Sequence, residues 1–443
     1  MDNKKILLLG RWGKTHAFAK AIVEKSSRPV QLFSYMDKPN AGILPLVEDY
    51  QLGDMQDNDQ IIAYARKMKI DYTIAVPHLA LSNSITEEMH RQGLRCLGPT
   101  GNCARLETNK TFLRRILRDC RLDVSPRYEI LSSKEDIIDH IRSIDYEFVV
   151  KPAGVTEGDG VKVMGIQLKN KREAIDYVHE IFEKNIGGIT QVLIEEKLIG
   201  REYTVQAFVD GKVLRGMPAT RDYKLLYEGE EGLNTPGMGS ISFPDHLLPF
   251  LSRAEYRHSL SIMEKVVERL FVQYGETYRG FLSGQFIKTA EGIKVIEFNV
   301  RPGDSEILNI IPILETDFVE ICDAILDRTL SRIEIHYEPK ATVCKYVVVE
   351  GFPHPRQDMV MTIDETAIRR AGADLFYSCF KIGRNTYKPS PRGVAVTAKG
   401  ETLPEANRLC EELITRHIKG EKLWHRTDIG TEDLLSFHER RVK

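Results

Sequence analysis

The 443-residue chain has no cysteine pair at the spacing of a metal knuckle or a redox motif. Its seven cysteines, at positions 96, 103, 120, 322, 344, 379 and 410, are scattered and odd in number. That argues against a disulfide framework or a structural zinc site and predicts reduced, buried thiols. No stretch approaches the roughly 18–20 apolar residues of a membrane span. The apolar run at the start is short and is broken by Gly10-Arg11-Trp12-Gly13, which is not the pattern of a signal peptide. A formal net charge of −2 gives no global field for nucleic acid or an anionic membrane. There is no GxxxxGK[ST] phosphate loop, no nucleophile elbow and no internal repeat. These absences predict a soluble, cytoplasmic protein with no nucleic acid or membrane partner; small-molecule substrates are expected, and the chain is expected as a monomer or homodimer.

The composition that remains is that of a globular protein, 42% apolar and 28% charged, long enough for two to four domains. Ile6 to Leu9 is a continuous apolar run closed by Gly10, the signature of a strand buried on both faces. Helical spacing over 15–25, 59–68 and 84–92 alternates with strand patterns over 30–35 and 72–77, which predicts a doubly wound α/β domain over residues 1–103. After an amphipathic helix over 109–118 the pattern changes. Strands over 147–151, 161–166, 192–197 and 203–210, with a helix over 171–182, predict an α+β unit within residues 104–330. The stretch Tyr227 to Gly239 reads as a polar separator before a long helix over 255–272 and strands over 280–288 and 292–299. A small C-terminal α+β domain over 331–443 carries strands over 342–349 and 393–399, a helix over 403–416 and one proline-rich loop, Lys388 to Pro391.

Three segments carry chemistry. A strand ending in Lys151 enters a loop with glycines at 154, 158 and 160, then returns into strand. Such a flap can turn backbone N–H groups toward phosphate while the lysine supplies a point charge. Glu297 and Asn299 lie two apart on a strand, so they share a face, with Val295 expected beside them and Ile296 and Phe298 expected to point into the core. A carboxylate and an amide oxygen suit Mg²⁺, and Arg301 can clamp a carboxylate or phosphate. Residues Glu195 to Glu202 form strand, short loop and strand, the kind of backbone that grips a nucleotide base.

Taken in order, the segments resemble the ATP-grasp superfamily, and within it the glycinamide ribonucleotide synthetase (phosphoribosylamine–glycine ligase) family. The likeness rests on Asn40-Ala41-Gly42, Leu97 to Thr100, Lys110, Val149 to Pro152, Glu195-Glu196, Arg221 to Lys224, Asn234 to Gly239, Gly280 to Leu282, and Val295 to Asn299 with Arg301, Gly303 and Asp304. It continues through Gly351 to Pro353, Arg392 to Ala398 and Arg426 to Gly430. The resemblance implies a pre-ATP-grasp N-terminal domain, a central ATP-grasp fold with a lid at about 125–195, and a small C-terminal domain. It implies ATP with Mg²⁺ or Mn²⁺, an acyl-phosphate intermediate and amide formation in purine synthesis.

The resemblance also assigns residues. Lys110, Lys151, Gly158 and Gly160 would meet the ATP phosphates. Glu195 and Leu198 would sit at the adenine, Glu202 at the ribose, and Glu297 and Asn299 at the metal. Arg301 and Asp222 would orient the amino acid and, with Lys151, carry catalysis. Gly10, Gly13, His16, Asn40, Asn234, Gly237, Gly303 and Asp304 would line the substrate sites. The sequence departs from the family pattern at Trp12, where the family has glycine, and at Val76-Pro77-His78, Asp159, Pro236 and Gln285. These departures cluster near the amine-binding loops and the flap. They leave open a related ligase that joins an amino acid to a different amine.

Overall fold

The computed structural model describes residues 3–156, 160–353 and 359–441. The N-terminal segment forms a five-stranded parallel sheet in the order Asp49–Leu52, Val30–Met36, Lys4–Leu9, Tyr72–Ala75, Cys96–Leu97. Lys4–Leu9 is central, and its Ile6 to Leu9 run is fully buried because helices cover both faces. The helix Gly13–Glu24 follows directly and packs Ala17, Phe18 and Ile22 inward. The short strand Asp49–Leu52 and the five-residue helix His78–Ser82 were too brief to register as periodicity.

The central region holds two four-stranded antiparallel sheets. One, in the order Leu214–Gly216, Arg201–Val209, Gly280–Thr289, Gly292–Asn299, forms the body. The other, in the order Tyr128–Leu131, Val192–Glu196, Phe148–Pro152, Lys162–Val163, forms a lid. The lid has its own core, in which Ile137, Ile141, Phe148, Val150, Tyr177, Val178 and Ile194 pack together.

Residues Arg221–Tyr227 and Glu231–Ser242 form a hairpin rather than a separator. That hairpin pairs with Ala341–Val349, so it extends the C-terminal sheet to eight strands, six of them along its main path. One sheet therefore crosses the boundary drawn at residue 330. The Lys388–Pro391 segment is also strand, within Thr386–Gly400. Its prolines fall before Val394, where pairing with Ala341–Val349 ends, and Pro389 stands opposite Cys379 on the other neighbour, Asp374–Lys381, beside a register shift.

Candidate active site

The body sheet has one apolar and one polar face. Register places Gln206 opposite Ser283, Thr204 opposite Gln285 and Glu202 opposite Ile287. On the next strand Asn299 stands opposite Ser283 and Glu297 opposite Gln285. Alternate residues share a face, so Glu202, Thr204, Gln206, Ser283, Gln285, Glu297 and Asn299 form a continuous polar floor. Tyr203, Val205, Ala207, Leu282 and Phe286 fill the core on the other side.

The expected position of Val295 needs correction. The register slips between Gln285 and Phe286, leaving Ile296 as the extra residue of a β-bulge. Val295 and Phe298 therefore both enter the core, while Glu297 keeps the polar face. The carbonyls at the bulge, of Val295 and Ile296, each accept a hydrogen bond of 2.9 Å from the Arg114 guanidinium.

Arg114 is the hub of a buried network. Its Nε donates to Glu195, and Lys151 Nζ donates to the other oxygen of the same carboxylate. Burial pushes the Glu195 carboxyl up, but Arg114 and Lys151 outweigh it and hold the group down at about 2. Glu195 therefore positions Lys151 from within the protein, with its carboxylate engaged by both cations. Leu198 is half-buried just past that strand, and Glu202 is exposed on the polar floor.

Lys110 meets the lid from below. Its Nζ donates to the Gly154 carbonyl at 2.6 Å and its backbone N–H to Ala153 at 2.8 Å. Gly154 must be glycine, because a Cβ there would lie 1.8 Å from the Gly187 oxygen. The Gly160 carbonyl accepts from Tyr177 at 2.8 Å, while Gly158 and Asp159 lie outside the described residues. Glu297 faces this cluster. Burial raises its carboxyl, but Lys224, Lys110 and Lys151 together hold it below the ordinary carboxylate range. Gln285, one of the departures, accepts from Lys224 Nζ at 2.6 Å and fixes that lysine beside Glu297.

A divalent cation would be held by Glu297 and Asn299, a carboxylate and an amide that offer the hard oxygen donors it takes. Their oxygens are on one face, and no group of three or more His, Cys, Asp or Glu suited to a metal occurs among the described residues. Arg301 borders them, with its Nη2 donating to Asn299 Oδ1 at 3.3 Å and its Nε to Glu107 at 3.0 Å. Glu107 also accepts the Val300 N–H at 2.9 Å. Glu107, Arg114 and Gln206 have no sequence signal, because their partners are remote along the chain.

Several residues expected at the substrate also bond within the protein. Asp304 accepts from Tyr346 Oη at 2.6 Å and from the Lys14 N–H at 3.1 Å, and pairs with Arg392 at 3.1 Å. It is an anion at the N-terminus of the helix Gly13–Glu24, where the helix dipole favours it. Asn40 donates to the carbonyls of Arg11 and Tyr377 and accepts from the Gly42 and Ile43 N–H groups. His16 is buried, accepts the Tyr377 N–H through Nδ1 at 3.1 Å, and is held well below its ordinary pKa by burial. Both hold the N-terminal loop in shape.

Gly10, at φ +109°, packs on Pro77, and a Cβ on Gly13 would strike Tyr346 Oη. Trp12 stacks under the Arg11 guanidinium at 3.7 Å, and Arg11 pairs with Asp37 at 2.9 Å. Gly237, at φ +124°, and Gly303 border Asp304 and Glu306, and Asn234 is half-buried on the hairpin. Lys14 is different. It is buried, its side chain makes no hydrogen bond among the described residues, and burial with Arg301 nearby lowers it to about 7.

This arrangement can bind a metal nucleotide between lid and polar floor, with an anionic carboxylate beside Arg301. Two family models match the chain: "Phosphoribosylglycinamide synthetase, N domain" over residues 4–107 and "Phosphoribosylglycinamide synthetase, ATP-grasp (A) domain" over residues 108–307. A phosphoribosylamine–glycine ligase of Methanopyrus kandleri is 39% identical, covering 99% of this chain and 98% of that one. The corresponding protein of Methanocaldococcus jannaschii is 40% identical, with 97% of each chain covered. A crystal structure of phosphoribosylamine–glycine ligase from Thermotoga maritima superposes with a TM-score of 0.80, covering 96% of this chain and all of that one, and at 23% identity it shows the shared fold. The chain is thus an ATP-dependent carbon–nitrogen ligase of the ATP-grasp fold and belongs to the phosphoribosylamine–glycine ligase family.

Proposed function

We propose that the protein joins glycine to phosphoribosylamine at the cost of ATP, in the cytoplasm, as a monomer or homodimer. The observation that carries this reading is the meeting of Lys110, Lys151 and Lys224 with Glu297 above a floor that ends in Asn299 and Arg301. Lys110 and Lys151 hold the phosphates, and Glu297 and Asn299 would hold a divalent cation, Mg²⁺ or Mn²⁺. The metal would neutralise charge on the phosphates. Arg301, oriented by Glu107, aligns the glycine carboxylate. A carboxylate oxygen attacks the γ-phosphorus, ADP leaves, and an acyl phosphate forms. The amine nitrogen then attacks the carbonyl carbon, inorganic phosphate leaves, and the nitrogen loses a proton. Positioning and charge neutralisation suffice for such a transfer, and no protein nucleophile is needed.

A second reading, a related ligase using another amine, is favoured by Trp12, whose indole stacks under Arg11 where the resemblance implies glycine. ADP release measured with glycine, ATP, Mg²⁺ and a panel of amines separates the two. Activity with phosphoribosylamine is expected; inactivity with it alongside activity with another amine decides for the second reading. Lys14, a buried ammonium without a partner among the described residues, is assigned to the phosphate of the amine substrate. Lys14→Met should raise KM for phosphoribosylamine about 10–100-fold, the loss expected for a hydrogen bond to a charged group. KM for ATP should stay within about twofold on the same principle, since that contact is not removed.

A further inference from the structure

Glu306 opens the helix Glu306–Ile313 and is only 4% exposed. Its carboxyl lies across Gly303, where a Cβ would come within 2.4–2.5 Å of all three carboxyl atoms. The Gly303 N–H donates to Gln206 Oε1 at 2.7 Å. Two residues earlier on the same face, Thr204 Oγ1 donates to Asp222 at 3.5 Å. The supports of Glu306 and Asp222 therefore stand side by side, about 7 Å apart along one strand.

No cation pairs with Glu306 among the described residues. Those that face it are already engaged: Lys224 by Gln285 and Asp222, Arg301 by Glu107, and Arg392 by Asp304. Burial and then Asp222 push the Glu306 carboxyl up to about 7, against the pull of Lys224 and Arg301. Next to it, the Gln206 amide nitrogen is buried with no partner, as is the Ser283 hydroxyl directly across the ladder. Among the described residues, an acid without a cation, a second acid held by Lys224 alone at 3.6 Å, an orphan amide donor and Arg301 match the two ends of a small zwitterion.

We propose that Glu306 joins Asp222 to cradle the ammonium group of the amino-acid substrate, and that Glu306 releases its proton to solvent when the amino acid binds. This rests on the ligase reading above. The sign follows from the raised carboxyl. Below about pH 7 Glu306 carries a proton that an arriving ammonium must displace. KM for glycine should therefore rise as pH falls, approaching about tenfold per unit well below that value, and level off above it.

Steady-state ADP release at saturating ATP and phosphoribosylamine, with glycine varied from pH 6 to 8.5, tests this in the wild type and Glu306→Gln. The substitution is expected to raise KM for glycine about 10–100-fold and to flatten its pH dependence. KM for ATP and kcat should stay within about twofold on the same basis. An unchanged KM for glycine overturns the proposal, and so does a fall in kcat alone, which would place Glu306 in the attack step. Should the variant fail to fold, calorimetry of glycine binding to wild-type protein with ADP and Mg²⁺ serves instead. In two buffers of different ionisation enthalpy at pH 6.5, more than roughly half a proton should be released, and no net release overturns the proposal. If the wild type accepts another amino acid but not glycine, the substrate assignment fails while the cradle remains testable with that amino acid.

Discussion

Glu297→Ala should lower ATP turnover by at least about 10²–10³-fold, the loss usual when a group that manages transition-state charge is removed. The fold should survive, because Glu297 is half-buried and, among the described residues, its side chain is hydrogen-bonded only by a long contact of 3.4 Å to Asn299. Thermal unfolding should stay within a few degrees of the parent. Without the carboxylate, Lys224, Lys110 and Lys151 face one another with less compensation. Phosphate binding should then hold or tighten while turnover collapses, a split that a merely misfolded variant would not give. Undiminished ADP formation would remove Glu297 from the metal site. Because those lysines depress the Glu297 carboxyl, its charge persists through neutral pH and is lost only below the ordinary carboxylate range, near pH 4. Any loss of turnover between pH 5 and 7 must come from another group.

The second large effect concerns Arg114, which touches no substrate. Arg114→Met should destabilise the protein by about 3–5 kcal/mol, because it leaves Glu195 charged and buried with Lys151 alone and frees two carbonyls at the β-bulge. At about 2–4 °C per kcal/mol, the melting temperature should fall by roughly 6–20 °C. Removing both partners, Arg114→Met with Glu195→Met, should recover much of that loss, since a buried pair replaced by apolar groups is often neutral. It should not recover KM for ATP, because Lys151 has then lost the carboxylate that aims it. Melting curves and ATP saturation of the single and double variants check both halves. Equal recovery of stability and KM would show Arg114 to be packing alone.

The sequence shows what is local and hides what depends on remote pairing. The run Ile6 to Leu9 and the spacing of Glu297 and Asn299 can be read directly, because period and burial are set by neighbours. The bulge at Ile296 cannot, since one extra residue reverses which of Val295 and Ile296 faces the core without changing composition. The polar, glycine-rich stretch Tyr227 to Gly239 reads as a separator, yet Glu231–Ser242 is strand because Ala341–Val349 supplies a ladder partner. The clamp of Glu107 on Arg301 spans 194 residues, and neither residue type announces the other. Asp304 looks like a ligand for substrate, and only the fold shows Tyr346, Arg392 and the Lys14 N–H already on it.

The hairpin shared between the central and C-terminal segments has a consequence during synthesis. Ser242 and Thr342 face each other across the sheet and bond through their hydroxyls, yet lie 100 residues apart. At about 5–20 residues per second, the ribosome delivers the partner strand roughly 5–20 s after the hairpin. Over that interval the strand Glu231–Ser242 presents an unpaired edge, with Gly237 to Ser242 destined to be buried. The polar floor can assemble early, from the strands at 201–209, 280–289 and 292–299. The wall that carries Asp222 and Lys224 is completed only after the C-terminal strands arrive, so on the proposed reading a nascent chain gathers the half assigned to phosphate well before the half assigned to the amino acid.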